Sequence, residues 1–372
     1  MTKKYILLTL AALLLLASCT KEGSTIYKPN PDEEQAPTTP LVIVIYGPNG
    51  LGDRSYNDLV YKGIEEAAKT YGVRTLQLAP ESEEQGFIYL ETFFRQMENL
   101  NDTVRRLFIT PSPVYDDFIR KNNHRLEKNP NADLLYMETT KPLEGKGSTL
   151  YLDYYGAMYM GGCMVHYSSK ELVSLVLANP YTQSVVEAAE GFKAGFNDTP
   201  QYGKYNVALH EFFLSNEPGG GFTLSDTTAM RIYEDERGWM NNRNNNDVTF
   251  VPICGGAMHP LIRAVRALSV FDTYVGIDGD MSDDKGFCVF SILKHIDKVM
   301  TDYVGMWLNG TMPKHKTYGL ADGATDVVVS DHRFSNVYYE TETGRAYWDK
   351  VLNIDSLRQV AIRKEGERYE KK

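Results

Sequence analysis

From Leu41 the chain alternates two kinds of segment, and it does so twice. Residues 41–46 are a continuous apolar, β-rich run, residues 73–78, 104–110, 134–137 and 149–152 read as further strands, and residues 56–71, 87–100 and 114–122 between them have helical spacing. A strand that is apolar along its whole length is covered on both faces, which marks a parallel sheet flanked by helices. The alternation restarts at Tyr155. Helical stretches 155–167, 183–196, 225–239 and 261–268 separate strand-like runs 172–177, 206–213, 248–253 and 274–277. Gly156, Gly161 and Gly162 suit the first of these helices to close packing. Two successive units predict an α/β protein of two doubly wound, Rossmann-like lobes with a ligand cleft between them.

Strand 288–292, helix 293–308 and strand 326–330 predict that the chain crosses back between lobes. The expected division is lobe 1 over 41–153 plus about 289–315, and lobe 2 over 154–288 plus about 316–330. Crossings are expected near Asp153, near 277–280 and near 313–318 or just before it. Residues 331–372 form a C-terminal extension with a polar helix over about 346–364.

The N-terminus has a different character. Lys3 and Lys4 precede an apolar run over residues 6–16 that only Thr9 interrupts, and Leu16-Ala17-Ser18-Cys19 closes it. Eleven residues are too few to cross a hydrocarbon core of about 30 Å. A basic start, a short apolar run and small residues before a cysteine make a bacterial lipoprotein signal over residues 1–18, with the Cys19 thiol as the lipid acceptor. Residues 19–40 are polar and proline-containing, a tether from the anchor to the fold. The expected location is the cell envelope, lipid-anchored and facing the periplasm or exterior.

The formal charge is −10, and it becomes about −12 without the two lysines of the signal. That argues against nucleic acid as a partner, since phosphate contacts need a basic surface. With Cys19 lipidated, Cys163, Cys254 and Cys288 remain, an odd number read as buried thiols.

In open α/β sheets, ligands sit beyond the carboxyl ends of the strands. The candidates there are Asp53, Ser55, Tyr56 and Asn57 after the first strand, Asp153, Gly255 and Gly256, Asp278, and Lys294. Carboxylates, rings, glycine amides and one lysine suit a polyhydroxylated ligand with a flat ring. Asp53 and Ser55 also suit plain capping of the helix that follows. Other chemistry finds no support: no nucleophile elbow or metalloprotease motif is present, and His210 and His295 read as structural. Asp278-x-Asp280-x-Ser282 opens like a calcium loop but places Asp283 and Val289 where Gly and Glu belong. Neither metal, cofactor nor catalytic residue is expected.

Gly52-Asp53-Arg54-Ser55-Tyr56-Asn57, Gly156-Ala157-Met158-Tyr159-Met160-Gly161-Gly162, Gly191-Phe192-Lys193-Ala194-Gly195-Phe196, Cys254-Gly255-Gly256-Ala257, Gly276-Ile277-Asp278-Gly279-Asp280 and Ser291-Ile292-Leu293-Lys294-His295-Ile296-Asp297 occur in that order. Together they resemble the BMP family, the basic-membrane-protein or PnrA-like substrate-binding lipoproteins of ABC importers. The resemblance spans about residues 41–330. It implies a type I periplasmic-binding fold, a monomer, an ABC permease as partner and a purine nucleoside held between the lobes. Carried over, Asp53 and Asp278 would hold ribose hydroxyls, and Lys294 would fix the sugar. Tyr56 would stack on the base, with Phe222 as the second ring and Trp239 its rival. Asp153 stands where a family Asn reads the base edge, and Gly255 and Gly256 would allow close backbone approach. The alternatives are a ligand sensor of the same fold without a transporter and, from another class, a nucleoside hydrolase.

Overall fold

The computed structural model describes residues 25–26, 38–48, 50–100, 103–168, 171–199, 207–238, 247–269, 271–284, 286–329, 348 and 351–370. The predicted signal with Cys19, most of the tether and Trp239 lie outside the described residues.

Thirteen described strands form two sheets. In chain order the first holds Thr25–Ile26 (β1), Leu41–Ile45 (β2), Arg74–Leu78 (β3), Arg106–Thr110 (β4), Ala132–Met137 (β5), Ser148–Leu152 (β6) and His315–Tyr318 (β12), arranged β1-β3-β2-β4-β5-β6-β12. The second holds Leu172–Leu177 (β7), Ala208–Phe213 (β8), Val248–Ile253 (β9), Thr273–Asp278 (β10), Cys288–Lys294 (β11) and Thr325–Val329 (β13), arranged β13-β11-β10-β9-β7-β8. Pairing is parallel except at two edges, β1 with β3 and β13 with β11.

The described helices are Tyr56–Tyr71 (α1), Glu83–Asn99 (α2), Asp116–Asn122 (α3), Tyr155–Ser168 (α4), Gln183–Asp198 (α5), Asp226–Gly238 (α6), Met258–Leu268 (α7), Ile296–Leu308 (α8) and Ile354–Glu370 (α9). Strand β2 shows why an unbroken apolar run was needed. Val42 and Val44 enter the core under α1 and α8, while Ile43 and Ile45 enter the opposite core under α2 and α3. Helix α4 is buried from Gly156 to His166 because the second sheet, α5 and α9 all cover it. Its crossing with α5 is backbone on backbone: a Cβ on Gly162 would lie 2.0 Å from the Phe192 carbonyl oxygen. Cys163, Cys254 and Cys288 are buried free thiols, as expected.

The chain passes between the lobes after β6, after β11 and between β12 and β13. Only the first crossing, at Asp153, falls where the sequence placed it. The segment 277–280 is instead a turn inside lobe 2, joining β10 to β11. Residues 288–294 belong to lobe 2 rather than lobe 1, because the apolar run continues in the ladder through Leu293 and Lys294, paired with β13. The helix after it therefore begins at Ile296, not Leu293, and returns to lobe 1 against α1. There Gly63 permits contact with the backbone of Asp297. Residues 315–318 are a lobe 1 strand, paired with β6. Their sequence, HKTY, is half-buried at a sheet edge and shows no apolar run. The polar C-terminal helix lies over Ile354–Glu370, further along than expected.

Candidate functional site

The carboxyl ends of both sheets face one another, and the lobes touch there. Ser55 Oγ donates to Asp278 Oδ2 at 2.5 Å, and His259 Nε2 lies 2.8 Å from the backbone oxygen of Asp53. A Cβ on Gly256 would sit 3.5 Å from the Asp53 Cβ, so the Cys254-Gly255-Gly256 turn closes over the loop that starts α1. Phe222 lies against Gly255, whose added Cβ would come within 3.1 Å of its ring. Gly255 itself has φ +53, a conformation that glycine adopts without steric cost.

Lys294 ends β11 and is almost completely buried. Its ammonium lies 4.6 Å from the Tyr154 ring centroid and 5.6 Å from that of Tyr56. Desolvated cation–π contacts of this kind contribute roughly 2 kcal/mol. The Tyr154 hydroxyl donates to the Ile292 carbonyl and accepts from Asp278 N–H at 3.1 Å. It fixes Asp278 in a left-handed conformation, φ 65, that aims the carboxylate across the cleft.

The decisive residue is one that the sequence reading passed over. Glu138 follows β5 directly, with φ 61. Both of its carboxylate oxygens are buried and without a hydrogen-bond partner, and so is the hydroxyl of Tyr56. The hydroxyls of Tyr56 and Ser184 act on the Glu138 carboxylate. Burial pushes its carboxyl up, while the charge of Lys294 and these two hydroxyls pull it down. An unpaired buried carboxylate is expensive unless something supplied later donates to it. Its position at a strand's carboxyl end was the available signal; Glu138 was hidden because it follows the apolar run without a glycine or aromatic beside it.

Two expected ligand residues have other work. Asp53 accepts from the backbone N–H groups of Ser55, Asn57 and Asp58 at 2.9, 3.0 and 3.2 Å, so its carboxylate caps α1 instead of waiting for a ribose. Burial raises its pKa, and those three donors oppose the rise. Asn57 is buried in the first turn of the same helix. Asp153 accepts from Tyr155 N–H at 2.9 Å, from Arg368 at 3.1 and 3.2 Å and from the Tyr369 hydroxyl at 2.5 Å. Its oxygens are thus engaged at the first crossing by Tyr155 and by two residues of α9. Of the expected set, the structure brings together Ser55, Tyr56, Asp278 and Lys294, with Gly255, Gly256 and Phe222 beside them. His210 is paired with Glu236 at 2.9 Å, away from the cleft.

No family model matches the chain, and no curated protein matches it in sequence. Solved structures do match in fold. An ABC transporter system solute-binding protein from Aeropyrum pernix K1 superposes with a TM-score of 0.61 at 15% identity, over 89% of this chain and 86% of that chain. A transcriptional activator of the comK gene from Bacillus halodurans gives 0.60 at 14%, over 88% and 96%. An ABC transporter periplasmic solute binding protein from Actinobacillus succinogenes 130z with bound D-allose gives 0.59 at 14%, over 78% and 98%. The fold is that of the type I periplasmic binding proteins. Glu138, Tyr56, Asp278 and Lys294 come together where the carboxyl ends of the two sheets meet.

Proposed function

We propose that the chain is a lipid-anchored solute receptor that captures a small polar ligand by lobe closure and delivers it, without catalysis, to an ABC-type permease. The observation that carries the reading is Glu138, a buried carboxylate whose two oxygens have no hydrogen-bond partner, placed at the carboxyl end of β5 near Tyr56, Lys294 and Asp278. It calls for a ligand that brings adjacent donors. Tyr56, Tyr154 and Phe222 provide rings for a flat group, and Asp278 provides an acceptor for hydroxyls.

A purine nucleoside combines these features, and the ordered motifs that resemble those of the BMP family support that class. A guanine edge carries two neighbouring N–H groups that a carboxylate accepts side by side. Guanosine is therefore expected to bind at least as tightly as adenosine, with Glu138 in the role first given to Asp153. The structural neighbour with bound D-allose supplies the competing ligand class. Calorimetry on the delipidated protein with guanosine, adenosine and D-allose tests the reading. Heat with the sugar and none with either nucleoside overturns the ligand assignment; binding of neither class overturns the receptor reading for both.

A second reading, a sensor without a transporter, is favoured by one observation: the same fold occurs in a transcriptional activator. Co-purification of a permease with the full chain from its own membrane separates the two.

A further inference from the structure

We propose that the C-terminal helix α9 is a latch that limits how far the two lobes open. The helix lies outside the motifs that span residues 41–330, and it is fastened to lobe 2 by Lys364 on Asp198 at 2.7 Å and by Arg358 on Asp326 at 2.5 Å. From there its last turns reach two of the three crossings. Glu365 is buried, and its two oxygens accept from Gly156 N–H at 2.8 Å and Leu320 N–H at 2.9 Å. One carboxylate thus ties the chain just after the first crossing to the chain in the third. The approach is so close that a Cβ on Gly319 would lie 2.1 Å from a Glu365 oxygen.

Arg368 makes the second tie. Its guanidinium donates to Asp153 at the first crossing and lies 3.1 Å from Glu187 Oε2 on α5. The same Glu187 oxygen accepts at 2.7 Å from the hydroxyl of Tyr151, which belongs to β6 in lobe 1. Glu187 therefore bridges the lobes, and Arg368 neutralises it together with Asp153. Tyr369 adds a third donor to Asp153. Without Arg368 two buried carboxylates would face each other at the junction, and opening the lobes would relieve them by admitting water.

Small-angle scattering of the full chain in detergent, with no ligand added, tests the latch. Arg368→Gln should increase the radius of gyration at unchanged monomer mass. Lys364→Ala, which loosens the same helix but leaves Asp153 and Glu187 paired, should not. A folded Arg368→Gln protein, judged by circular dichroism, with wild-type scattering overturns the proposal, and so does equal expansion in Lys364→Ala. If Arg368→Gln does not fold, Tyr369→Phe carries the test: a smaller expansion supports the latch and wild-type scattering overturns it. Because no ligand is present, failure here is distinct from failure of the receptor reading.

Discussion

Ser55 and Asp278, 223 residues apart in sequence, share a 2.5 Å hydrogen bond between the lobes. The Ser55 side chain, at the N-cap position of α1, makes no cap bond with its own helix. Its hydroxyl is committed to the opposite lobe. Ser55→Ala leaves a buried carboxylate oxygen without that donor and should cost the closed form about 1–3 kcal/mol. A lower urea midpoint, together with expanded scattering, is the expected result.

Glu138→Gln should separate stability from binding. Burial is the largest influence on this carboxyl and outweighs the charge of Lys294, so a neutral amide should raise the thermal midpoint of the ligand-free protein. The same change removes charged acceptors worth roughly 1.5–3 kcal/mol each, so guanosine affinity should fall at least about tenfold. Calorimetry and thermal unfolding on one preparation check both directions.

Gly195→Ala should destabilise lobe 2. Its Cβ would lie 2.0 Å from the carbonyl oxygen of Tyr159, and a backbone atom cannot swing aside as a side chain can. Overpacking of this kind costs about 1–3 kcal/mol or more. The thermal midpoint should drop, with the far-ultraviolet circular dichroism spectrum preserved at low temperature.

Glu365 gives a pH dependence with a definite sign. Burial, then the charge of Asp153, pushes its carboxyl up to about 7. The folded protein holds this proton up to about pH 7, whereas the unfolded chain releases it near about 4.3. The contribution to stability is fully present below the unfolded value and is lost as pH rises through the folded one, on the order of 3 kcal/mol in all. Glu365→Gln should flatten the unfolding free energy between those limits. An unchanged slope would show that the group titrates normally.

Cys19→Ser should abolish acylation, since the thiol is the lipid acceptor of the proposed signal. Metabolic labelling with a fatty acid should disappear, and the precursor should stay unprocessed.

The fold was legible because continuous apolar strands admit few alternatives. Residues such as Val42 to Ile45 had to be covered on both faces, and they are. What stayed hidden lacks that signal. Strand β12 is four half-buried polar residues at an edge, recognisable only through its partner β6. Within the site, Tyr56, Asp278 and Lys294 were readable from their places after strands. The work of Asp53 and Asp153 was not, because a carboxylate's role depends on which donors reach it. Asp53 meets the amides of its own helix. Asp153 meets Arg368 and Tyr369, more than 200 positions away, which no local pattern announces.

The parallel pairing of β6 with β12 brings together Thr149 and His315, 166 residues apart, and the whole second sheet except β13 lies between them in the chain. During synthesis, the amino-terminal lobe therefore emerges first but stays incomplete until residue 318 has been made. It must wait with an unpaired β6 edge, and with α1 uncovered by α8, until lobe 2 has nearly been made. Such long-range closure slows folding and exposes apolar surface to aggregation meanwhile. The carboxyl-terminal lobe finishes later still, because β13 and α9, which covers α4, both follow β12 in the chain.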